Sequence, residues 1–307
     1  MKTRTIFLTM VIAAAMVMTA CSSNDDSNNT GYTAVKFTSG ITATPQTKAT
    51  IDDSGNSLWE VDDPIGIYMV ENATTTVVES AENIPYEATT ATASTSFTPS
   101  GATTIYYPVN TPAKVDFIAY HPYNASVTNW VYPVNVSTQT PQTEIDLMYA
   151  TADNSGAGYD KASTNVNFTF DHQLVKLIIN VSTGTGVTGT VSAVSITGMN
   201  TSAKFDLTGV AGLTDIVTPQ AITPHTATAG TKYEAILLPA ATLGAAHTVT
   251  FTTTAGETFT WVMSNDISSL AVGSIYTYDI TLTKYAVTAT GDITKWTVGS
   301  TGTGIAD

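Results

Sequence analysis

Apolar and polar residues alternate along most of the chain beyond its first thirty residues. Such a period of two is typical of strands, because successive side chains of a strand point to opposite faces. The clearest alternating rows are Val35 and Phe37; Ile65, Ile67 and Met69; Val115, Phe117 and Ala119; Trp130, Tyr132, Val134 and Val136; Val194 and Ile196; Tyr233, Ala235 and Leu237; and Tyr276, Tyr278, Ile280 and Leu282. We therefore predict an all-β protein of many short strands, arranged as β-sandwiches.

Turn signals and composition support the same fold class. Val249 and Phe251 on one side of Ala255-Gly256, and Phe259 and Trp261 on the other, predict a hairpin. Threonine is abundant while leucine, lysine, arginine and glutamate are sparse. Because threonine favours strands and the sparse residues favour helices, the composition predicts little helix.

The apolar face switches within one segment near the middle of the chain. Phe168, Phe170, His172 and Leu174 occupy even positions, whereas Val175, Leu177, Ile179 and Val181 occupy odd ones. A switch of face predicts a bulge or bend near residues 172–174, where the chain passes from one sheet to another. Together with the glycine-containing loop at residues 154–158, it predicts an N-terminal sandwich over residues 32–165 and a C-terminal one over 166–307.

The N-terminal residues have the layout of a secretory signal. Lys2 and Arg4 precede an apolar run at residues 6–18, which is too short to span about 30 Å of hydrocarbon. Cys21, the single cysteine, follows two small residues at the position of a lipidated cysteine. We predict a signal peptide at residues 1–20, lipidation of Cys21 and a polar tether at residues 21–31; a plain signal peptide cut elsewhere is the alternative.

The net charge and the absence of known motifs reduce the number of possible functions. The formal net charge is -14, and the lysines form no basic cluster, so we do not expect nucleic acid as a partner. The four histidines lack metal-ligand spacing, and no catalytic motif is present. The segment 52–56 has the chemistry of a solvated turn and lacks the spaced ligands of a calcium loop. We predict a protein that is not an enzyme and needs no cofactor or metal.

Several segments together resemble the fimbrillins, the type V pilins of the Bacteroides group. They are Val35-Lys36-Phe37-Thr38, Thr47-Lys48-Ala49-Thr50, Trp59, Asp62-Asp63-Pro64-Ile65-Gly66-Ile67-Tyr68, residues 170–177, Gly273-Ser274-Ile275-Tyr276-Thr277-Tyr278 and Ile293-Thr294-Lys295-Trp296. Each match is weak alone, but their order spans the whole chain after the signal and follows a lipoprotein signal.

The resemblance implies two transthyretin-like Greek-key β-sandwich domains and a structural role in a surface fimbria that supports adhesion. It also implies a precursor held at the outer membrane by the lipid on Cys21. A protease then removes the first strand, and a strand donated by another fimbrillin subunit fills the groove. The partners expected are therefore other fimbrillin subunits, the outer membrane and a host or bacterial surface ligand.

Mapped onto this sequence, the resemblance assigns three segments. The first strand runs over residues 34–42, with Val35, Phe37 and Ile41 facing the core, and the cleavage site is Lys48-Ala49. The donor strand near the C-terminus comprises Tyr285, Val287, Ala289, Ile293, Trp296 and Val298.

Two alternatives stay open from the sequence. An uncleaved chain would serve as an anchor, tip or accessory subunit. A surface lipoprotein that never polymerises could instead bind glycans through its tyrosines, including Tyr106, Tyr107, Tyr120, Tyr123 and Tyr132, because aromatic rings stack on sugars.

Overall fold

The computed structural model describes residues 31–40, 50–51, 57–110, 113–163, 165–284, 287–295 and 302–306. Strands dominate these residues, accompanied by two short 3₁₀ helices, Gln142–Glu144 and Met263–Asn265. The strands are β1 (Phe37–Gly40), β2 (Thr50–Ile51), β3 (Ser57–Leu58), β4 (Pro64–Glu71), β5 (Ile84–Ala88), β6 (Ser94–Pro99), β7 (Val115–His121), β8 (Val131–Asn135), β9 (Met148–Ala152), β10 (Val166–Phe168), β11 (Asp171–His172), β12 (Val175–Thr183), β13 (Val191–Thr197), β14 (Asn200–Asp206), β15 (Leu213–Pro219), β16 (His225–Thr228), β17 (Lys232–Leu237), β18 (Thr248–Thr253), β19 (Thr258–Val262), β20 (Ser274–Leu282), β21 (Val287–Lys295) and β22 (Gly302–Ala306). The predicted all-β class is confirmed. Within these ranges no helix is long and apolar enough to cross a membrane.

The first half of the chain forms an eight-stranded sheet in the order β10-β1-β6-β5-β4-β7-β9-β11. Its two edge strands, β10 and β11, are separated in sequence only by Thr169 and Phe170. The three Cα-to-Cα steps from Phe168 to Asp171 span at most about 11 Å, so the sheet must curl until these two edges come close together. The curled sheet encloses the first core, whose large members include Phe37, Trp59, Tyr86, Phe117, Phe168 and Phe170.

The second half is a sandwich of two sheets. One has six strands in the order β16-β17-β12-β20-β21-β22, and the other has three in the order β13-β18-β19. Inward-facing residues of both sheets form the second core, including Leu177, Phe251, Trp261 and Tyr278. The predicted hairpin is β18 and β19, with Phe251 opposite Phe259.

A further three-stranded sheet joins the two halves. β8 from the first half pairs with β14 from the second, and β15 lies on the outer side of β14. The apolar layer beneath it, here called the middle core, includes Tyr68, Tyr120, Tyr132, Leu174, Phe205 and Ile236. Because β4 and β7 bury both faces, one against the first core and one against the middle core, the halves share a continuous apolar interior.

The chain changes sheets where the apolar face switches. β11 ends at His172 and pairs with β9 in the first sheet, whereas β12 begins at Val175 and pairs with β17 and β20 in the six-stranded sheet. The predicted bend at residues 172–174 is therefore present. Because β10 and β11 pair with the first sheet, that sheet extends to His172, beyond the predicted domain boundary between residues 165 and 166.

Buried tyrosines should make the fold sensitive to alkali. Burial raises the pKa of Tyr86, Tyr107, Tyr149 and Tyr278 from 10.0 to about 12. A raised pKa means that the folded state disfavours the phenolate, so its stabilising effect is complete below pH 10 and disappears as the pH rises towards 12. Because an ordinary domain is stable by only about 5–15 kcal/mol, ionisation of several buried tyrosines is enough to offset that stability.

We therefore expect cooperative alkaline unfolding between about pH 10 and 12. Tyrosinate absorbance and circular dichroism recorded on the same samples will test this. The absorbance change should accompany the loss of β-structure in the native protein, while the urea-unfolded protein should titrate near pH 10. Ionisation of these four tyrosines near pH 10 with the fold intact would contradict the expectation.

Candidate functional site

β1 is a short strand inserted between two partners that are distant in sequence. It pairs antiparallel with β6, with Phe37 opposite Phe97, and parallel with β10, with Phe37 opposite Val166. Both of its edges are thus hydrogen-bonded. Residues before β1 extend the contact, since Tyr107 donates its backbone N–H to the Thr33 carbonyl at 2.9 Å. β1 closes the first sheet between β6 and β10.

Alternate residues of β1 and of the segment just before it point inward. Val35, Phe37 and Ser39 are all buried, whereas Lys36 between them is exposed. Val35 and Phe37 therefore lie inside, as the alternation predicted. Ile41, the third predicted inward residue, is outside the described part of the chain.

Phe37 lies at the centre of an aromatic cluster. Its ring is 5.1 Å from Tyr86 and 5.2 Å from Phe117, both edge to face, and 5.6 Å from Phe168, stacked, as measured between ring centroids. Such pairs add about 0.5–1.5 kcal/mol each beyond the area they bury. Phe37 is therefore the principal apolar anchor of β1.

Ser39 is the polar anchor of β1. Its side chain is fully buried, and its Oγ accepts a hydrogen bond of 2.7 Å from the Trp59 indole Nε1. Its backbone carbonyl accepts a second bond of 2.7 Å from the Ser94 hydroxyl. The Trp59 ring itself is buried against Phe97 and Phe170, at centroid distances of 5.1 and 5.2 Å.

The C-terminal strands extend the six-stranded sheet. β21 pairs antiparallel with β20 over its whole length, placing Val287, Ala289 and Ile293 opposite the buried Leu282, Ile280 and Tyr276. β22 then pairs with β21. Three of the predicted donor residues thus lie on a strand next to the edge of its own sheet, between β20 and the edge strand β22.

Gly291 of β21 lies beside a tyrosine ring of the neighbouring strand β20. It lies opposite Tyr278, and a Cβ on Gly291 would come within 2.4 Å of the Tyr278 ring. Gly66 and Tyr120 repeat this arrangement in the first sheet, also at 2.4 Å. In both places glycine leaves the space over which the tyrosine ring lies.

The remaining predicted site residues are outside the described ranges. These are Cys21, Lys48, Ala49, Tyr285, Trp296 and Val298. Their assignments stay predictions.

The tyrosines considered for sugar stacking are mostly interior. Tyr107, Tyr120 and Tyr132 are buried, and Tyr106 and Tyr123 are half-buried. Since a stacking platform must present the face of its ring to solvent, the three buried residues do not provide one.

The histidines have separate local roles. His121 Nδ1 lies 2.9 Å from the Pro64 carbonyl, and His172 Nδ1 lies 2.9 Å from Asp146 Oδ1. Across the described ranges, His, Cys, Asp and Glu side chains form no group of three or more that could hold a metal ion.

One contact at the candidate site, between Ser39 and Trp59, was not predicted. Ser39 continues the alternation of Val35 and Phe37, so its inward direction was readable, but its partner Trp59 was not. Trp59 lies 20 positions away, and no local pattern connects the two residues.

Sequence comparisons show the family to which the chain belongs. A sequence profile described as fimbrillin-like matches residues 47–296. The chain belongs to the fimbrillin-like family. It is 36% identical over 309 residues to a proposed fimbrium subunit, Fim1C, of Bacteroides uniformis, with 96% of each sequence covered.

Solved structures show the same fold. A proposed cell adhesion protein from Bacteroides uniformis is 34% identical, with a TM-score of 0.73, covering 87% of this chain and 99% of the other. A proposed cell adhesion protein from Bacteroides ovatus is 23% identical, with a TM-score of 0.65, covering 88% and 99%. The second comparison concerns the fold alone.

Proposed function

We propose that this chain is a structural subunit of a surface fimbria and polymerises when another subunit's strand replaces β1. The observation that carries the proposal is the insertion of β1 between β6 and β10, with Val35 and Phe37 in the first core. β1 is short and lies at the start of the folded region. Its removal would leave six strands, β6-β5-β4-β7-β9-β11, paired as before, and would separate β10 from β6.

Loss of β1 would leave a groove with unpaired strand edges and exposed apolar side chains. The facing edges of β6 and β10 would lose backbone hydrogen-bond partners, and the rings around Phe37 would be exposed to water. Unpaired strand edges and exposed apolar pockets are the two features that a donated strand satisfies. Repetition of such a head-to-tail contact gives a filament, because the contact does not close on itself.

Cleavage at Lys48-Ala49 would release β1 with the N-terminal segment. This bond follows β1 by eight residues, so a cut there leaves the whole strand on the released piece. Arg4 is the only arginine of the chain and lies within the predicted signal peptide. The processing protease must therefore accept lysine.

The donor in this proposal is the C-terminal segment around β21. It carries the alternating residues Val287 and Ala289, followed by Ile293, Trp296 and Val298. Among the described strands, β21 lies next to the edge of the six-stranded sheet, between β20 and the edge strand β22. β21 and β22 could therefore leave together without disrupting the pairing of β16, β17, β12 and β20.

Lipidation of Cys21 would target the precursor to the membrane. The lipid would deliver the chain to the outer membrane and its surface, while β1 keeps the precursor monomeric. After cleavage the lipid would leave with β1, and the filament would support adhesion to a surface ligand. An uncleaved chain would keep the lipid and act as an anchor or accessory subunit.

The proposal predicts that two changes abolish polymers. We expect Lys48→Gln, and separately the deletion of residues 286–307, to eliminate denaturation-resistant ladders on gels of surface protein. The first should retain acylated Cys21 as its N-terminus, whereas wild-type polymer should begin at Ala49. Gel electrophoresis and mass spectrometry of the N-terminal peptide will measure both.

Lys36→Gln is the matched control, because it removes an exposed lysine immediately before β1 and should leave the ladders unchanged. Normal ladders from the deletion variant would rule out the C-terminal donor. A folded monomer that keeps its lipid in the wild type and binds polysaccharide would support the glycan-binding alternative instead.

A further inference from the structure

Ser39, two residues after Phe37, accepts the hydrogen bond that a buried indole N–H requires. Ser39 lies on the same face of β1 as Phe37, where Trp59 offers its indole N–H. An indole N–H is a donor only, and a buried one is costly to leave without an acceptor. Ser39 combines that acceptor with a side chain small enough for a fully buried position.

We propose that Trp59 determines which strands can occupy the place of β1, by requiring a small hydroxyl side chain two positions from the large apolar residue that enters the Phe37 pocket. The Ser94 hydroxyl does not discriminate in this way, since it binds a backbone carbonyl that every residue supplies. Phe37 and Val35 contribute apolar area, which many side chains can provide. Selectivity is therefore concentrated at the Ser39 position.

The same rule applies to a strand that runs in either direction. β1 has one antiparallel neighbour, β6, and one parallel neighbour, β10. A strand that runs in the opposite direction would pair parallel with β6 and antiparallel with β10. Either direction therefore gives one parallel and one antiparallel ladder. Inward positions two residues apart stay on one face in both directions.

A C-terminal segment of a second copy meets the same requirement if its strand runs in the direction opposite to β1. Thr294, Trp296 and Val298 supply, in that order, a small hydroxyl residue, a large aromatic residue and a valine, which match Ser39, Phe37 and Val35 read backwards. This assignment of the occupant rests on the proposed function. The selectivity of Trp59 does not, because β1 itself demonstrates the contact.

Peptide exchange on the nicked full-length protein tests the selectivity. A unique protease site replaces residues 42–47, the chain is cut, and fluorescent peptides of residues 33–42 compete with the cut strand. We expect the Ser39→Val and Ser39→Ala peptides to bind about tenfold more weakly than the Ser39 and Ser39→Thr peptides. On Trp59→Phe protein, which keeps an aromatic ring but lacks the N–H, this preference should fall to within about twofold.

A purely structural role for Trp59 would weaken all peptides alike and leave the tenfold ratio intact, which would overturn the proposal. If Trp59→Phe does not fold, the peptide series on the wild-type protein decides, because equal binding of serine, threonine, alanine and valine peptides also overturns it. In the uncut chain, Ser39→Ala and Trp59→Phe should be strongly non-additive in urea unfolding.

A separate experiment tests whether the C-terminal segment can occupy the place of β1. A peptide of residues 292–300 should bind the nicked protein, and Thr294→Val should weaken it about tenfold. If the residue 33–42 peptides show the preference but the C-terminal peptide does not bind, Trp59 keeps its role and the C-terminal donor is wrong. That outcome separates a failure of the proposed function from a failure of this inference.

Discussion

Phe37→Ala should lower the free energy of unfolding by about 3–5 kcal/mol, the range for truncating a fully buried phenylalanine. The change removes the ring at the centre of three aromatic contacts, with Tyr86, Phe117 and Phe168. These neighbours belong to β5, β7 and β10, so no single strand can move to fill the cavity. Urea unfolding followed by circular dichroism will measure the effect.

Val210→Ala is the control, because Val210 is 87% exposed and its truncation should change stability by less than about 0.5 kcal/mol. The Phe37 variant should also lose β1 more readily, seen as faster proteolysis of the segment after residue 40. A loss of stability below about 1 kcal/mol would mean that β1 is not anchored through Phe37, contrary to its burial.

Glu234→Leu should destabilise the protein by about 3–5 kcal/mol, because it leaves the charge of Lys176 buried without its partner. Lys176 Nζ lies 2.8 Å from Glu234 Oε2, and the two side chains are 6% and 10% exposed. They lie on neighbouring strands, β12 and β17, and Gln142 Nε2 donates to the Glu234 carbonyl at 3.1 Å. Lys232 completes the group at 3.0 Å from Glu234 Oε1.

The double variant Lys176→Met with Glu234→Leu should recover most of that loss, since apolar side chains of similar size replace buried ion pairs at little cost. Lys204→Met is the control at an exposed pair, where Lys204 and Asp215 are 57% and 62% exposed, and should cost less than about 1 kcal/mol. Chemical unfolding of all four proteins at pH 7 gives the comparison. A double variant no more stable than Glu234→Leu would show that the charges are not what the site requires.

The same pair predicts an acid dependence. Burial opposes ionisation of Glu234, but Lys176 and Lys232 outweigh it and hold the pKa of this carboxyl below its ordinary value of 4.5. A lowered pKa stabilises the fold above pH 4.5, and that contribution disappears as the pH falls through the lower, folded-state pKa. The stability difference between the wild type and the double variant should therefore shift in favour of the double variant in acid.

Much of the secondary structure could be predicted because it depends on local pattern. The rows headed by Ile65, Val115 and Tyr276 all became strands, with their alternate residues in a core. Even the change of sheet between His172 and Val175 could be predicted, because a switch of apolar face is incompatible with one regular strand. Two residues at the candidate site, Val35 and Phe37, were identified by the same alternation.

Pairing between distant strands could not be predicted in this way. Thr38 and Val166 are 128 positions apart, yet the Thr38 hydroxyl bonds the Val166 carbonyl as β1 and β10 pair. β8 has an ordinary alternating pattern, and nothing in that pattern indicates that it pairs with β14 across the two halves. The second buried faces of β4 and β7 depend on the same packing.

The sequence by itself determined the all-β class, the inward face of most strands and the family resemblance, because alternation and short motifs are properties of neighbouring residues. Only the tertiary structure decided that β1 is held on both edges, and that Trp59 reaches Ser39 within the first core. It also decided that Lys176 and Glu234 are buried as a pair. Strand order and buried polar contacts depend on which surfaces fit together, and that fit is a property of the whole folded chain.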